Sequence, residues 1–446
     1  MTNAQNIIVL GLALLVIGCM QGTPYRTYRD TPPDVNGVIT EKEVTTLSLP
    51  KIASSRECTG GRCVNFVEFD EFGNVEGRRQ FNNALIDAKA VAKSGGMVLV
   101  FIHGWHHNSS PGDSDIENFK KMVARVEDGR PAAGIYVGWR GESIDSNVLL
   151  GVVPSYLGTF WDRKNTAHSI GNAGGVTELV RTLSDIRSSF KDSRLLIIGH
   201  SFGGAILYSA MSDGIAEQIR RDCQGSDQFT PIADLVVLVN PAFEAMRLRP
   251  LYSYARNFEF PSNQKPRLIM ITSDADWATE SAFKVGRHLE TIFQSYPSGP
   301  HKEQDVTAIG HYQRYITHQL QVDPSCSVPK GEIPLAATAR PVSMCITDKL
   351  RLTRCDGPKD CNDVARGHFI IRGEAGPHIP HNFPIYNIRT TGAVIPSHVR
   401  IWEPAMESLL LSLPEVVDHS EEMPIAPATP TGCGTPKDFN DPLTEL

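Results

Sequence analysis

The sequence has no long run of Lys and Arg. Its 446 residues carry 43 basic and 50 acidic side chains, a formal net charge of −7. That balance argues against nucleic acid as a partner. There is no apolar run of the roughly 20 residues that a membrane-spanning helix needs; the twelve from Ile7 to Gly18 fall short. H-E-x-x-H does not occur, and Cys58 and Cys63 have no second short Cys or His pair to complete a zinc site. No internal repeat is present, so a solenoid is excluded. What remains is enough chain for one large domain with insertions, or two domains. With 41% apolar and 21% charged residues, it reads as a globular enzyme with a substantial core.

The most informative stretch is Leu195–Gly204, LLIIGHSFGG. Leu195–Ile198 reads as a buried strand, and Ala205–Met211 as a helix. Between them Gly199-His200-Ser201-Phe202-Gly203 matches G-x-S-x-G, the elbow that sets a nucleophilic serine on a sharp strand-to-helix turn. A serine in a strained backbone conformation needs neighbours without a Cβ, which Gly199 and Gly203 supply. The turn presents the Ser201 hydroxyl to a base. It also aims the Phe202 N–H, at a helix N-terminus, towards a developing oxyanion.

Strands and helices alternate around this turn. Val64–Phe69 alternates as a strand, and Phe81, Leu85, Ala88 and Ala92 recur at helical spacing. The continuous apolar runs Met97–Ile102, Ile135–Val137, Leu235–Val239 and Leu268–Thr272 fit strands buried in a parallel sheet. Asp115–Glu127 and Val176–Phe190 read as helices. The pattern loosens from about Trp277 to His381. Strand character returns at Ile385–Ile388, and Met406, Leu409, Leu410 and Leu413 mark a closing helix. Val148–Trp161, apolar and aromatic, is expected to be either core or the wall or lid of an acyl pocket.

The loop after Met97–Ile102 reads His103-Gly104-Trp105-His106-His107. Gly104 permits close backbone approach, so the N–H of Gly104 or Trp105 is a candidate second oxyanion donor. For the acid, Asp274 and Asp276 lie just beyond a strand's carboxyl end, where open α/β sheets place their chemistry; Glu244 is a third option. For the base, His398 lies between the last strand and the last helix. His311 is its rival, and His368, His378 and His381 are weaker candidates.

At the amino end, Ile7–Gly18 fits the h-region of a secretory signal peptide. Val16-Ile17-Gly18-Cys19 resembles a bacterial lipobox, which implies lipidation of Cys19. Met1–Asn6 departs from that pattern in carrying no Lys or Arg. The expected location is the bacterial cell envelope, lipid-anchored, on the periplasmic side of the outer membrane, or secreted. The other eight cysteines include the close pairs Cys58 and Cys63, Cys326 and Cys345, and Cys355 and Cys361. In an exported protein these spacings point to disulfides.

Together the strand–HGW loop, the GHSFGG elbow, Asp276 and His398 resemble the α/β-hydrolase superfamily. The FIHGWHHN and YVGWRG segments resemble a bacterial subgroup of it. The resemblance implies an α/β fold with a mostly parallel central sheet of about eight strands, helices on both faces, and a cysteine-bearing insertion. It implies the chain order serine, acid, histidine, and hence Ser201, Asp276 and His398 as the triad, with Gly104, Trp105 and Phe202 at the oxyanion. The S-x-x-D spacing favours Asp276 over Asp274. The implied activity is ester hydrolysis through an acyl-enzyme, on a small-molecule or lipid ester, with no cofactor and no metal. An acyltransferase using the same triad, or a non-catalytic envelope lipoprotein, are the alternatives. The expected organisation is a leader over 1–19, a tether over 20–60, a body over 61–325 and 383–415, an insertion over 326–382, and a disordered tail over 416–446.

Overall fold

In the computed structural model, the five apolar runs at the centre of the sequence become five adjacent strands. The structure describes residues 24–27, 53–59, 62–126, 130–141, 154–223, 232–256, 258, 260, 264–327, 343–355 and 383–418. The leader, Cys19 and the tail from 419 lie outside these residues. So do His368, His378, His381 and the side chains of the supposed acyl-pocket segment.

The strands in chain order are β1 (Arg26–Thr27), β2 (Ala53–Ser54), β3 (Arg56–Thr59), β4 (Arg62–Glu68), β5 (Met97–Ile102), β6 (Ala132–Gly138), β7 (Arg194–His200), β8 (Leu235–Val239), β9 (Leu268–Ser273), β10 (His318–Val322), β11 (Ser343–Thr347), β12 (Leu350–Arg354) and β13 (Ile385–Thr390). The helices are α1 (Arg78–Lys93), α2 (Ser114–Ala124), α3 (Pro154–Asn172), α4 (Gly175–Ser189), α5 (Phe202–Cys223), α6 (Ala245–Arg256), α7 (Phe283–Glu290), α8 (Gly299–Val306) and α9 (Pro404–Asp418).

One eleven-stranded sheet organises the body, in the order β11-β12-β10-β13-β9-β8-β7-β5-β6-β4-β3. The strands from β10 to β4 in that order are mutually parallel. The expectation of about eight strands therefore matches the parallel centre alone. Antiparallel β12, β11 and β3 extend it at the two edges. The extra strands escaped the sequence reading because they are short and half-polar, as edge strands are.

The central strands are apolar throughout because both faces are covered. Along β5, Val98, Val100 and Ile102 join the core beneath α1, α4, α5 and α6, while Met97, Leu99 and Phe101 join the core beneath α2 and α9. This is the two-residue period of a strand buried on both sides.

Parts of the expected tether pack against the body. Arg26 is fully buried, lies 3.6 Å over the Phe66 ring and donates to the Ser109 carbonyl at 2.6 Å. The described part of the expected insertion, β11 and β12, continues the main sheet. Disulfides join Cys58 to Cys63 across the β3–β4 hairpin and Cys326 to Cys345 at the opposite edge.

Candidate active site

Ser201 follows β7 directly and has φ of +55°, a left-handed conformation costly for a residue with a side chain. Its surroundings hold it there. Its N–H donates to Val239 at the end of β8 (3.0 Å), and its carbonyl accepts from Ala242 (3.1 Å). The elbow glycines answer to close approach. A Cβ on Gly203 would lie 2.2 Å from the Ile102 carbonyl oxygen, and one on Gly199 would lie 2.8 Å from that of Gly203.

The structure brings the three expected side chains together. His398 Nε2 is 2.7 Å from Ser201 Oγ, and His398 Nδ1 is 2.9 Å from both carboxylate oxygens of Asp276. The carboxylate holds the ring proton on Nδ1, which leaves Nε2 to accept from the serine hydroxyl. Asp276 is fully buried. Burial works against its charge, but the adjacent His398 and hydrogen bonds from His398 and Thr279 outweigh that, and its carboxyl is held at about 2.

Behind the acid lies a second layer. Thr279, in the π-helical turn Ala278–Ala282, donates from its N–H (3.2 Å) and its hydroxyl (2.5 Å) to Asp276. The hydroxyl in turn accepts from His311 Nε2 at 2.9 Å. His311, the rival base, is thus one hydroxyl removed from the acid. Burial lowers its pKa to about 4 and keeps it neutral.

The loop carrying His398 is gripped by strand ends. The His398 carbonyl accepts from His200 Nε2 (2.9 Å) and Asn240 Nδ2 (3.2 Å). Asn240 Oδ1 accepts from the Ser273 N–H, and Ser273 Oγ donates to the Ile395 carbonyl at 2.7 Å. The ends of β7, β8 and β9 thereby fix where the imidazole stands. Sequence reasoning missed Thr279, His200 and Asn240. Their signal was position: each flanks a strand end or the acid itself.

On the opposite side of Ser201, a Cβ on Gly104 would lie 2.8 Å from the Ser201 Cβ. Only glycine fits that approach. His103 sets the loop: its Nδ1 donates to the Gly104 carbonyl (2.8 Å), while its Nε2 accepts from the Trp139 N–H (3.1 Å). Trp139 Nε1 returns a bond to the His103 carbonyl at 2.9 Å, and the rings of Tyr136 and Trp139 stack on the imidazole. Burial lowers the His103 pKa to about 4. Phe202 opens α5 and is buried against Trp105, with ring centroids 6.4 Å apart.

The remaining candidates stand elsewhere. His107 pairs with Asp113 at 3.0 Å, and His106 is exposed with φ of +66°. Among the described residues no three His, Cys, Asp or Glu side chains are grouped to hold a metal ion. Asp274 is half-buried and bonds through its N–H to Thr390. Glu244 is buried among Lys164 (2.6 Å), Arg247 (2.7 Å) and Arg287 (3.3 Å). Against the cost of burial, these cations hold its carboxyl far below the usual range, as suits a structural ion cluster.

No family model matches the chain, and no curated protein matches it. Among solved structures it is similar to phospholipase PlaB from Legionella pneumophila, with 14% identity and a TM-score of 0.25 over 58% of this chain and 50% of that one. It is also similar to an arginase from Medicago truncatula, with 9% identity and a TM-score of 0.19 over 46% of this chain and 77% of that one. The chain spans about half the length of the phospholipase. Overlaps of this size carry neither chemistry across.

Proposed function

We propose that the chain is an α/β-hydrolase that cleaves carboxylic esters through a Ser201–His398–Asp276 triad. One observation supports this above the others. A serine at positive φ, between a strand and a helix, is joined to an imidazole at 2.7 Å, and the imidazole to a buried carboxylate at 2.9 Å. A serine hydroxyl is a weak nucleophile at neutral pH and needs such a base, oriented by such an acid.

In this reading Ser201 Oγ attacks the ester carbonyl and His398 Nε2 takes its proton. Asp276 holds the Nδ1 proton and stabilises the imidazolium. The N–H groups of Phe202 and of the Gly104–Trp105 loop receive the oxyanion. His398 then gives its proton to the leaving alkoxide, and water, activated by the same imidazole, releases the acid. The Cys19 motif further supports an envelope location with a lipid anchor.

A fluorophosphonate probe tests the reading. It is expected to label the folded protein at neutral pH on Ser201 and to fail on Ser201→Ala. p-Nitrophenyl esters of increasing chain length then report acyl preference. A folded wild-type protein that neither labels nor turns over any ester sinks the proposal.

A further inference from the structure

Of the ten large apolar side chains exposed among the described residues, five lie between residues 277 and 293. They are Trp277 (63% exposed), Val285 (56%), Leu289 (54%), Ile292 (66%) and Phe293 (97%). Val285, Leu289 and Phe293 are four residues apart in sequence. In α7 the buried side is Phe283, Gly286 and Arg287, so Val285 and Leu289 share the outer face. A soluble surface seldom concentrates apolar groups in this way without a use for them.

Two features say what the use is. The first is place. Trp277 follows Asp276 directly, and Val399, 53% exposed, follows His398, so exposed apolar side chains flank the relay. The second is charge. Lys284 and Lys302 are exposed and stand near His288 on α7, so two basic groups lie beside the apolar face, with the exposed acids Glu280 and Glu303 close to them in the chain. Glu290, the one acid of α7, is already engaged by Lys164 and Arg287. An apolar face with a tryptophan and two lysines beside it matches a lipid–water interface. α7 is also held in place: Arg287 bonds Asp305 at 2.6 Å, and Glu290 meets Lys164 at 2.9 Å.

We propose that this face seats the protein on a lipid–water interface bearing anionic headgroups. Val285, Leu289, Ile292 and Phe293 enter the acyl boundary, Lys284 and Lys302 meet the headgroups, and Trp277 borders the mouth of the site. The inference deepens the ester-hydrolase reading, on which it rests, by naming where the substrate lies.

The test uses the full chain carrying Ser201→Ala, so that vesicle lipids stay intact. Vesicles of phosphatidylcholine and phosphatidylglycerol with brominated acyl chains quench tryptophan at the acyl boundary. A Trp277→Phe chain isolates the Trp277 signal. The expected result is Trp277 quenching that weakens in phosphatidylcholine alone and falls about tenfold or more in apparent affinity in Leu289→Ser/Phe293→Ser. With Ser201 intact, that double variant is expected to retain wild-type turnover of a water-soluble short-chain ester. Absence of Trp277 quenching, or equal quenching in the double variant, overturns the proposal. A concentration-dependent dimer undone by the same substitutions also overturns it, by giving the face to a second copy. Fluorophosphonate labelling is scored separately. A protein that labels but does not bind vesicles keeps the hydrolase reading and loses this one, and the converse result does the reverse.

Discussion

At the residue scale the proposed chemistry is a chain of hydrogen bonds five groups long: Ser201, His398, Asp276, Thr279 and His311. Ser201→Ala is expected to lower kcat by about 10⁴-fold or more while circular dichroism stays unchanged. Thr279→Val leaves the backbone bond to Asp276 but removes the hydroxyl. Losing one charge-assisted hydrogen bond predicts a fall in kcat of about tenfold with KM little changed, read from steady-state kinetics. Gly104→Ala would push a methyl into contact with Ser201 and His200. We expect slower fluorophosphonate labelling without a matching loss of melting temperature. The first three groups were legible in the sequence because an elbow, a strand-end aspartate and a late histidine are each local patterns. Thr279 was not, since its role depends on the π-helical turn that directs its hydroxyl back to Asp276, and no spacing rule announces that turn.

At the scale of elements, the innermost strands were legible because burial on both faces favours an unbroken apolar run. β5, β8 and most of β7 and β9 coincide with such runs. β10, HQLQV, was hidden. Its polar residues are kept buried by neighbours, as where Thr317 meets both His318 and Asn387. Its edge is tied by the Cys326–Cys345 disulfide, which closes a loop with a sequence separation of 19. Loop closure of this size is worth about 3 kcal/mol in the chain-entropy picture. The double substitution Cys326→Ser/Cys345→Ser is therefore expected to lower the melting temperature by a few degrees. Hydrogen exchange is expected to quicken at β11 and β12 and to stay slow at β5 and β7.

At the scale of the whole molecule, buried neutral histidines set how stability responds to acid. His103 and His311 have pKa values lowered to about 4, His168 to about 3, and His200 lies well below its usual value, each chiefly through burial. Below about pH 6.5 the unfolded chain takes up protons there that the folded chain refuses. Stability therefore falls as pH drops from about 6.5 towards 4. Glu68, raised to about 7 by burial, acts in the opposite sense between about 4.5 and 7. Burial also raises the carboxyls of Glu76 and Asp115, which act in the same sense as Glu68. The four deeply lowered histidines are expected to dominate, giving a melting temperature that declines across this range, measurable by calorimetry at fixed ionic strength. The overall layout also bears on synthesis. β13 lies between β9 and β10, yet it is made after both. A chain emerging from the ribosome must keep a slot open for a strand not yet translated. Because His398 arrives with the segment that follows, its contacts with Ser201 and Asp276 cannot form in the newborn protein until that slot is filled.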